Sequence, residues 1–112
     1  MDTKGPGFFE RVFAVVAKVP PGHVTTYGDV AAELGMRSVA RKVGHALAAL
    51  APDRDDVPWH RVVNAQGKIS QRPNEASERG QARRLAAEGV ETSATGTILD
   101  FSVRRFRFRD PR

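Results

Sequence analysis

The sequence has no cysteine among its 112 residues. This absence excludes disulfide bonds, thiolate zinc sites and any reaction that uses a cysteine nucleophile. The histidines, His23, His45 and His60, are not spaced as ligands of one metal ion, and we expect neither a metal site nor a cofactor. No apolar run approaches the roughly 20 residues that a membrane span needs. Residues 1–7 contain no apolar secretory signal, so the expected location is the cytoplasm.

Acidic residues are outnumbered, with 13 Asp and Glu against 18 Lys and Arg and a formal net charge of +5. This balance favours a polyanionic partner, although a solvated basic surface explains it equally well. Hydrophobic residues make up 40% of the chain and charged residues 28%, which is typical of a folded globular protein. The length predicts a single domain over residues 1–112.

The N-terminal half is predicted to be helical. Apolar periodicity predicts a helix over residues 7–18, which ends before Pro20-Pro21-Gly22 because proline does not continue a helix. Thr26 is predicted to cap a second, short helix that runs to Leu34. Gly35 follows it and is expected to close the helix in a left-handed conformation.

A third helix is predicted from the candidate cap Ser38 onwards. Its apolar stripe at helical spacing comprises Val39, Val43, Ala46, Leu47 and Leu50. Arg41, Lys42 and His45 fall largely outside this stripe, so one face of the helix is basic. The second and third helices together have the pattern of a helix-turn-helix, which is typical of DNA-binding proteins but also of ordinary helical hairpins.

The C-terminal half has weaker patterns. Residues 51–57 are predicted to be a loop, and residues 61–70 a small hairpin around a turn at 64–67. A polar helix is predicted from the cap Asn74 to Glu88. Residues 98–108 interleave Phe and Arg, which favours an extended segment whose rings close the core while its arginines face water. A direct nucleic-acid contact is the alternative for this tail.

Three segments carry a resemblance to a known family. They are VTTYGDVA at residues 24–31, VARKVGHAL at 39–47 and PWHRVV at 58–63. In order and spacing they resemble the C-terminal DNA-binding domain of the O6-alkylguanine-DNA alkyltransferases, over residues 8–90, with 91–112 as an extension. Those enzymes have Pro-Cys-His-Arg-Val where this chain has Trp59 in place of the cysteine. That replacement, with no separate N-terminal domain, is similar to the alkyltransferase-like proteins.

The resemblance implies DNA-contacting roles for residues of the two predicted helices. Arg41 matches the arginine that fills the space left by a flipped guanine, a task that suits a planar guanidinium. Tyr27 matches the tyrosine that helps to rotate the nucleotide through its 3′ phosphate. Gly44 and Ala46 stand where small side chains let the helix lie close to DNA, although core packing explains either residue taken singly.

The resemblance also implies a pocket for the lesion base. Trp59 and Val62 are expected to line it, and Arg72 occupies the loop position where alkyltransferase-like proteins place an arginine against the flipped base. A second group matches the hydrogen-bond network that activates the cysteine in the transferases. With nothing to activate here, this group is expected to be a structural remnant; its members are His60, Asn64 and Glu88.

The implied fold is a small α+β domain, mostly helical, with a winged-helix-like helix-turn-helix. The implied function is recognition of O6-alkylguanine in double-stranded DNA, by minor-groove binding and nucleotide flipping, without alkyl transfer. The resemblance further implies that the protein marks lesions for nucleotide excision repair proteins. A monomer is expected by default, because the sequence has no evident exposed coiled coil or long edge strand. The expected location is the nucleoid if the protein is bacterial. Two rivals stay open: a helix-turn-helix transcription regulator indifferent to damage, and a hydrolase that uses His60 with Glu88 or with Asp53, Asp55 or Asp56.

Overall fold

The computed structural model describes residues 7–36, 39–51, 54–69 and 75–108, of which 75–79 are described by their backbone alone. In these ranges the chain forms, in order, α1 (Phe8–Val16), β1 (Thr25–Thr26), α2 (Tyr27–Glu33), α3 (Ala40–Ala48), a 3₁₀ helix (Trp59–Arg61), β2 (Val62–Val63), α4 (Glu75–Ala87) and α5 (Phe101–Arg104). The predicted α+β class, mostly helical, is confirmed. No helix within the described ranges is both long and apolar enough to cross a membrane.

The ends of α2 follow the sequence prediction. The Thr26 hydroxyl accepts a hydrogen bond from the Asp29 backbone N–H at 2.9 Å, which satisfies one of the open donors of the first turn. Gly35 has a φ of +77°, and the Met36 N–H donates to the Ala31 carbonyl at 2.8 Å. This is a Schellman cap, in which a left-handed glycine lets the chain turn back on the helix end.

The helices α1, α2 and α3 pack on one another around the larger of two apolar clusters. The members that α1 and α3 contribute are Val12, Phe13, Val15, Val16, Val43, Ala46 and Leu47. Helix α3 follows α2 as the second helix of the predicted helix-turn-helix. Its proposed cap, Ser38, lies outside the described residues.

The predicted hairpin over residues 61–70 is wrong. The turn itself forms, because the Asn64 side-chain oxygen accepts hydrogen bonds from the backbone N–H groups of Gln66 and Lys68. However, β2 pairs in parallel with β1, with Thr25 opposite Val62 and Thr26 opposite Val63. Burial explains this pairing, since both strands lie in the core, where their backbone N–H and C=O groups form hydrogen bonds with each other.

The prediction of an extended tail is also wrong in part. After Asp100, which has a left-handed φ of 58°, the chain forms the single-turn helix α5. Only then does it extend, where Arg105 bridges Val24 in parallel. The Arg105 guanidinium donates to both Asp29 carboxylate oxygens at 2.8 and 2.9 Å. The tail therefore holds the start of α2 instead of merely covering the core.

A second apolar cluster joins α4 to the C-terminal segment. Its buried residues are Val24, Val63, Ile69, Leu85, Val90 and Ile98, with Phe101 packed against them. Gly67 lies beneath Phe101 in the turn after β2 and has a φ of +78°.

Replacing Gly67 by alanine is expected to destabilise the fold. An added Cβ would lie 2.6 Å from the Phe101 ring, and the left-handed backbone is itself unfavourable for alanine. Strain and overpacking together predict a loss of about 2–4 kcal/mol in the free energy of unfolding, measured by urea denaturation. Gly80→Ala is the matched control, because a Cβ there meets nothing within 4 Å. In a helix it is expected to stabilise by up to about 1 kcal/mol. Equal effects of the two variants would contradict this account.

Candidate nucleic-acid interface

Helix α3 presents a basic, solvent-exposed face. Its periodicity buries Val43, Ala46 and Leu47 against α1 and α2, and it leaves Arg41, Lys42 and His45 exposed. A helix that is packed on one face and cationic on the other is suited to lie against a polyanion. Arg41 is thus available to an external partner, as its predicted role requires.

Tyr27 and Gly44 meet beside Arg41. The half-buried Tyr27 ring starts α2, and a Cβ on Gly44 would lie 3.8 Å from it. With Ala40, Arg41 and His45 they line a shallow depression of about 420 Å³. A Cβ at position 44 would make only an ordinary contact with the tyrosine ring, so the depression depends on the absence of a longer side chain there.

Two predicted contact residues lie elsewhere. Ala46 is fully buried in the larger apolar cluster, so its side chain has no access to DNA. Val62 is 1% exposed and belongs to the same cluster through β2, so it packs the core and not the wall of the cavity beside Trp59. Core packing, which was the alternative for Ala46, decides that position, and the same burial places Val62 in the core.

Trp59 begins the 3₁₀ helix and stands at the wall of a cavity of about 400 Å³. The floor and rim come from the ends of α1 and α3, from the following loop, and from α4, through residues such as Ala17, Leu47, Leu50, Pro58 and Arg84. The Trp59 indole is half-buried and meets the His60 ring edge-on at a centroid distance of 6.1 Å. Trp59, which stands where the transferases have their cysteine, therefore faces an open cavity that a planar group can enter.

Glu88 is the centre of a partly buried polar network. Arg61 donates to both Glu88 carboxylate oxygens, at 2.9 and 2.6 Å, and also to the Val19 carbonyl at 2.8 Å. His60 Nε2 lies 2.8 Å from the same carboxylate. Burial opposes ionisation of Glu88, but the hydrogen bonds from Arg61 and His60 outweigh it and lower its pKa to about 2.

The ionised Glu88 determines the tautomer of His60. A carboxylate only accepts, so His60 must donate from Nε2, and its Nδ1 is then the unprotonated nitrogen of a neutral ring. Burial lowers the pKa of His60 more than Glu88 raises it. Nδ1 is buried and has no hydrogen-bond partner in the part of the chain that the structure describes. The network therefore has a structural role, and its histidine is neutral.

Asn64 does not join this network, contrary to the prediction, because its side chain is used in the turn after β2. Two members were missed by the sequence analysis. Arg61 supplies the strongest contacts, and the buried Gln81 donates to the carbonyls of His60 and Val62, both at 3.0 Å. A sequence signal for Gln81 exists, since it is four residues before the core residue Leu85 and so shares its helix face. Arg72 lies outside the described residues.

Known proteins match both the sequence and the structure. Residues 7–90 match the family described as 6-O-methylguanine DNA methyltransferase, DNA binding domain. The alkyltransferase-like protein 1 of Schizosaccharomyces pombe is 47% identical over 88 residues, which are 79% of this chain and 81% of the relative. The chain belongs to the alkyltransferase-like branch of the 6-O-methylguanine DNA methyltransferase family. The DNA base-flipping protein of Escherichia coli is 44% identical over 105 residues, 94% of this chain and 77% of that protein.

A solved structure of a family member matches the fold. The crystal structure of S. pombe Atl1 in complex with damaged DNA containing O6-carboxymethylguanine has a TM-score of 0.80 and 41% identity, and the match covers 89% of this chain and 94% of that chain. The alkyltransferase-like assignment confirms the resemblance drawn from the three sequence segments. Because the chain has no cysteine, it has no thiolate to which an alkyl group could be transferred.

Proposed function

We propose that this protein binds double-stranded DNA and recognises O6-alkylguanine without removing the alkyl group. The observation that carries the proposal is Trp59, which stands on the wall of an open cavity at the position of the transferase nucleophile. An indole offers an apolar surface and one N–H donor but no nucleophile. The site therefore suits binding of an alkylated base and not reaction with it.

The exposed face of α3 is the proposed DNA-binding surface. Arg41, Lys42 and His45 lie along it, and the glycine at position 44 permits close approach. In the proposed complex α3 enters the minor groove, Arg41 takes the place of the flipped base, and Tyr27 contacts the adjacent phosphate. The flipped base enters the cavity beside Trp59. The relatives support this arrangement, since one is named a DNA base-flipping protein and another is solved with damaged DNA.

A lesion that is bound but not repaired gives a long-lived complex. We propose that this complex marks the lesion for nucleotide excision repair proteins and that the protein acts as a monomer on chromosomal DNA, which is the nucleoid if the cell is bacterial. The mark would be the stable complex itself, because the bound alkyl group stays on the guanine.

The test is DNA binding by fluorescence anisotropy at one fixed salt concentration. Matched duplexes carry guanine or O6-methylguanine at a single site, because the phosphate contribution cancels between them. We expect tighter binding to the lesion duplex, since only an alkylated base brings a substituent to Trp59. Equal affinity for the two duplexes would overturn the proposal.

The same duplexes separate the two rivals. A transcription regulator would prefer one sequence whether or not it is damaged, and Trp59→Ala would then matter little. A hydrolase would release the base, cut the strand or dealkylate it during incubation. No turnover is expected, because the described part of the chain places no nucleophile beside His60, whose ring is hydrogen-bonded to Glu88.

A further inference from the structure

Arg84 stands at the same cavity as Trp59. It projects from α4, and its guanidinium carbon lies 5.6 Å from the centroid of the Trp59 ring. Both side chains line the cavity, and Arg84 is exposed to solvent there. This is a cation–π contact, which does not use the guanidinium N–H groups as hydrogen-bond donors to an anion, so they are available to another group.

Arg84 differs from the other arginines of this cavity in its partners. Arg54 donates to Asp56 at 2.9 Å, and Arg61 is bound to Glu88. Arg84 has no carboxylate partner among the described side chains, and it contacts the Trp59 ring instead. A guanidinium in this condition is the group of the cavity that is ready to bind an anion.

The remaining titratable groups set the charge around it. His60 is neutral near pH 7, because burial lowers its pKa. Asp55 is an exposed carboxylate on the loop that forms part of the rim. Among the described residues that line the cavity, Arg84 and Asp55 are therefore the charged groups outside an ion pair, and they act with opposite sign on any charge brought into it.

The position of Trp59 indicates where the alkyl group of a bound lesion lies. In a transferase the residue at this position reacts with the alkyl carbon and must touch it, so here the substituent is directed at the indole. Arg84 lies against that same ring. We propose that Arg84 is a specificity-determining residue that favours O6-alkylguanines whose substituent ends in a carboxylate. The inference rests on the proposed function, because it requires the flipped base to enter this cavity.

A terminal carboxylate accepts charge-assisted hydrogen bonds from the guanidinium, whereas a neutral end group of equal size accepts much weaker hydrogen bonds. The probes are duplexes with O6-carboxymethylguanine, its neutral isostere O6-carbamoylmethylguanine, or guanine at one site. We expect the wild-type protein to bind the anionic adduct roughly tenfold more tightly than the neutral one, as one hydrogen bond to a charged group allows. Arg84→Gln is expected to reduce this ratio to within about twofold.

Arg83→Gln is the matched control, because Arg83 is an exposed arginine on the same helix that does not line the cavity. It removes the same charge, so it is expected to weaken binding to all three duplexes alike. The tenfold ratio between the affinities for the anionic and the neutral adduct is expected to persist. Asp55→Asn is expected to raise the ratio, since it removes the opposing carboxylate. A ratio near one in the wild type, or a ratio that survives Arg84→Gln, would overturn the inference.

The guanine duplex distinguishes this failure from failure of the proposed function. If both adducts bind more tightly than guanine but equally well, only the role of Arg84 is wrong. If neither adduct binds more tightly than guanine, the proposed lesion recognition is wrong and the inference falls with it.

Discussion

Replacing Arg41 by alanine is expected to lower the affinity for an O6-methylguanine duplex by roughly 10- to 100-fold. The guanidinium is exposed on α3 beside the Tyr27 depression, where it can occupy the space that a flipped base leaves. Stacking of this kind is worth about 1–3 kcal/mol, and without it the extrahelical base has no substitute in the duplex. The undamaged duplex is expected to lose much less, because its binding depends chiefly on phosphate contacts.

Lys42→Ala provides the control for lost charge. Lys42 is the exposed neighbour of Arg41 on the same helix. Its removal is expected to weaken binding to damaged and undamaged duplexes to the same extent. The salt dependence of binding is expected to fall by about one phosphate contact. Fluorescence anisotropy at several salt concentrations gives both quantities. A lesion preference that persists undiminished in Arg41→Ala would show that another side chain replaces the flipped base.

Glu88→Gln is expected to lower the free energy of unfolding by about 3 kcal/mol, because it leaves the mostly buried Arg61 guanidinium without its charged partner. The Arg61 side chain is 13% exposed, so water compensates little for the loss. Urea denaturation at pH 7 measures the effect. Asp56→Asn is the control, since it breaks an ion pair whose carboxylate is 69% exposed and is expected to change stability little. Comparable losses in the two variants would contradict a special role for the buried network.

The same network predicts how stability depends on pH. The pKa of Glu88 falls from its ordinary value of 4.5 to about 2, and that of His60 falls below its ordinary value of 6.5. In both cases the unfolded chain takes up protons first as the pH falls, so acid favours unfolding. The contribution of His60 to the free energy of unfolding is complete above about pH 6.5 and is lost as the pH falls below that value. That of Glu88 is lost between about pH 4.5 and pH 2.

Urea midpoints measured from pH 7 to pH 2.5 test this dependence. Glu88→Gln is expected to flatten the lower part of the profile, because the substituted residue no longer titrates. A wild-type midpoint that rises on acidification would contradict the direction of both pKa shifts.

Local features of the sequence determined much of the N-terminal half. The Thr26 cap, the glycine closure of α2 and the basic face of α3 each depend on a few neighbouring residues, and all three are present in the structure. The absence of cysteine, together with Trp59 inside an otherwise family-like motif, indicated the family and excluded transfer to a thiol. Such features can be predicted because hydrogen bonds at helix ends and apolar periodicity act over one or two turns.

Pairing between distant segments was decided only by the tertiary structure. Residues 62 and 63 pair with β1 and not with the adjacent segment, Asn64 serves the turn, and Arg105 holds Asp29 across 76 positions. Likewise, the spacing of Trp59 and Arg84 in the sequence does not indicate that their side chains contact each other. These contacts depend on which surfaces the packed helices bring together. Local propensity carries no information about such long-range packing, and so the composition of the cavity had to come from the fold.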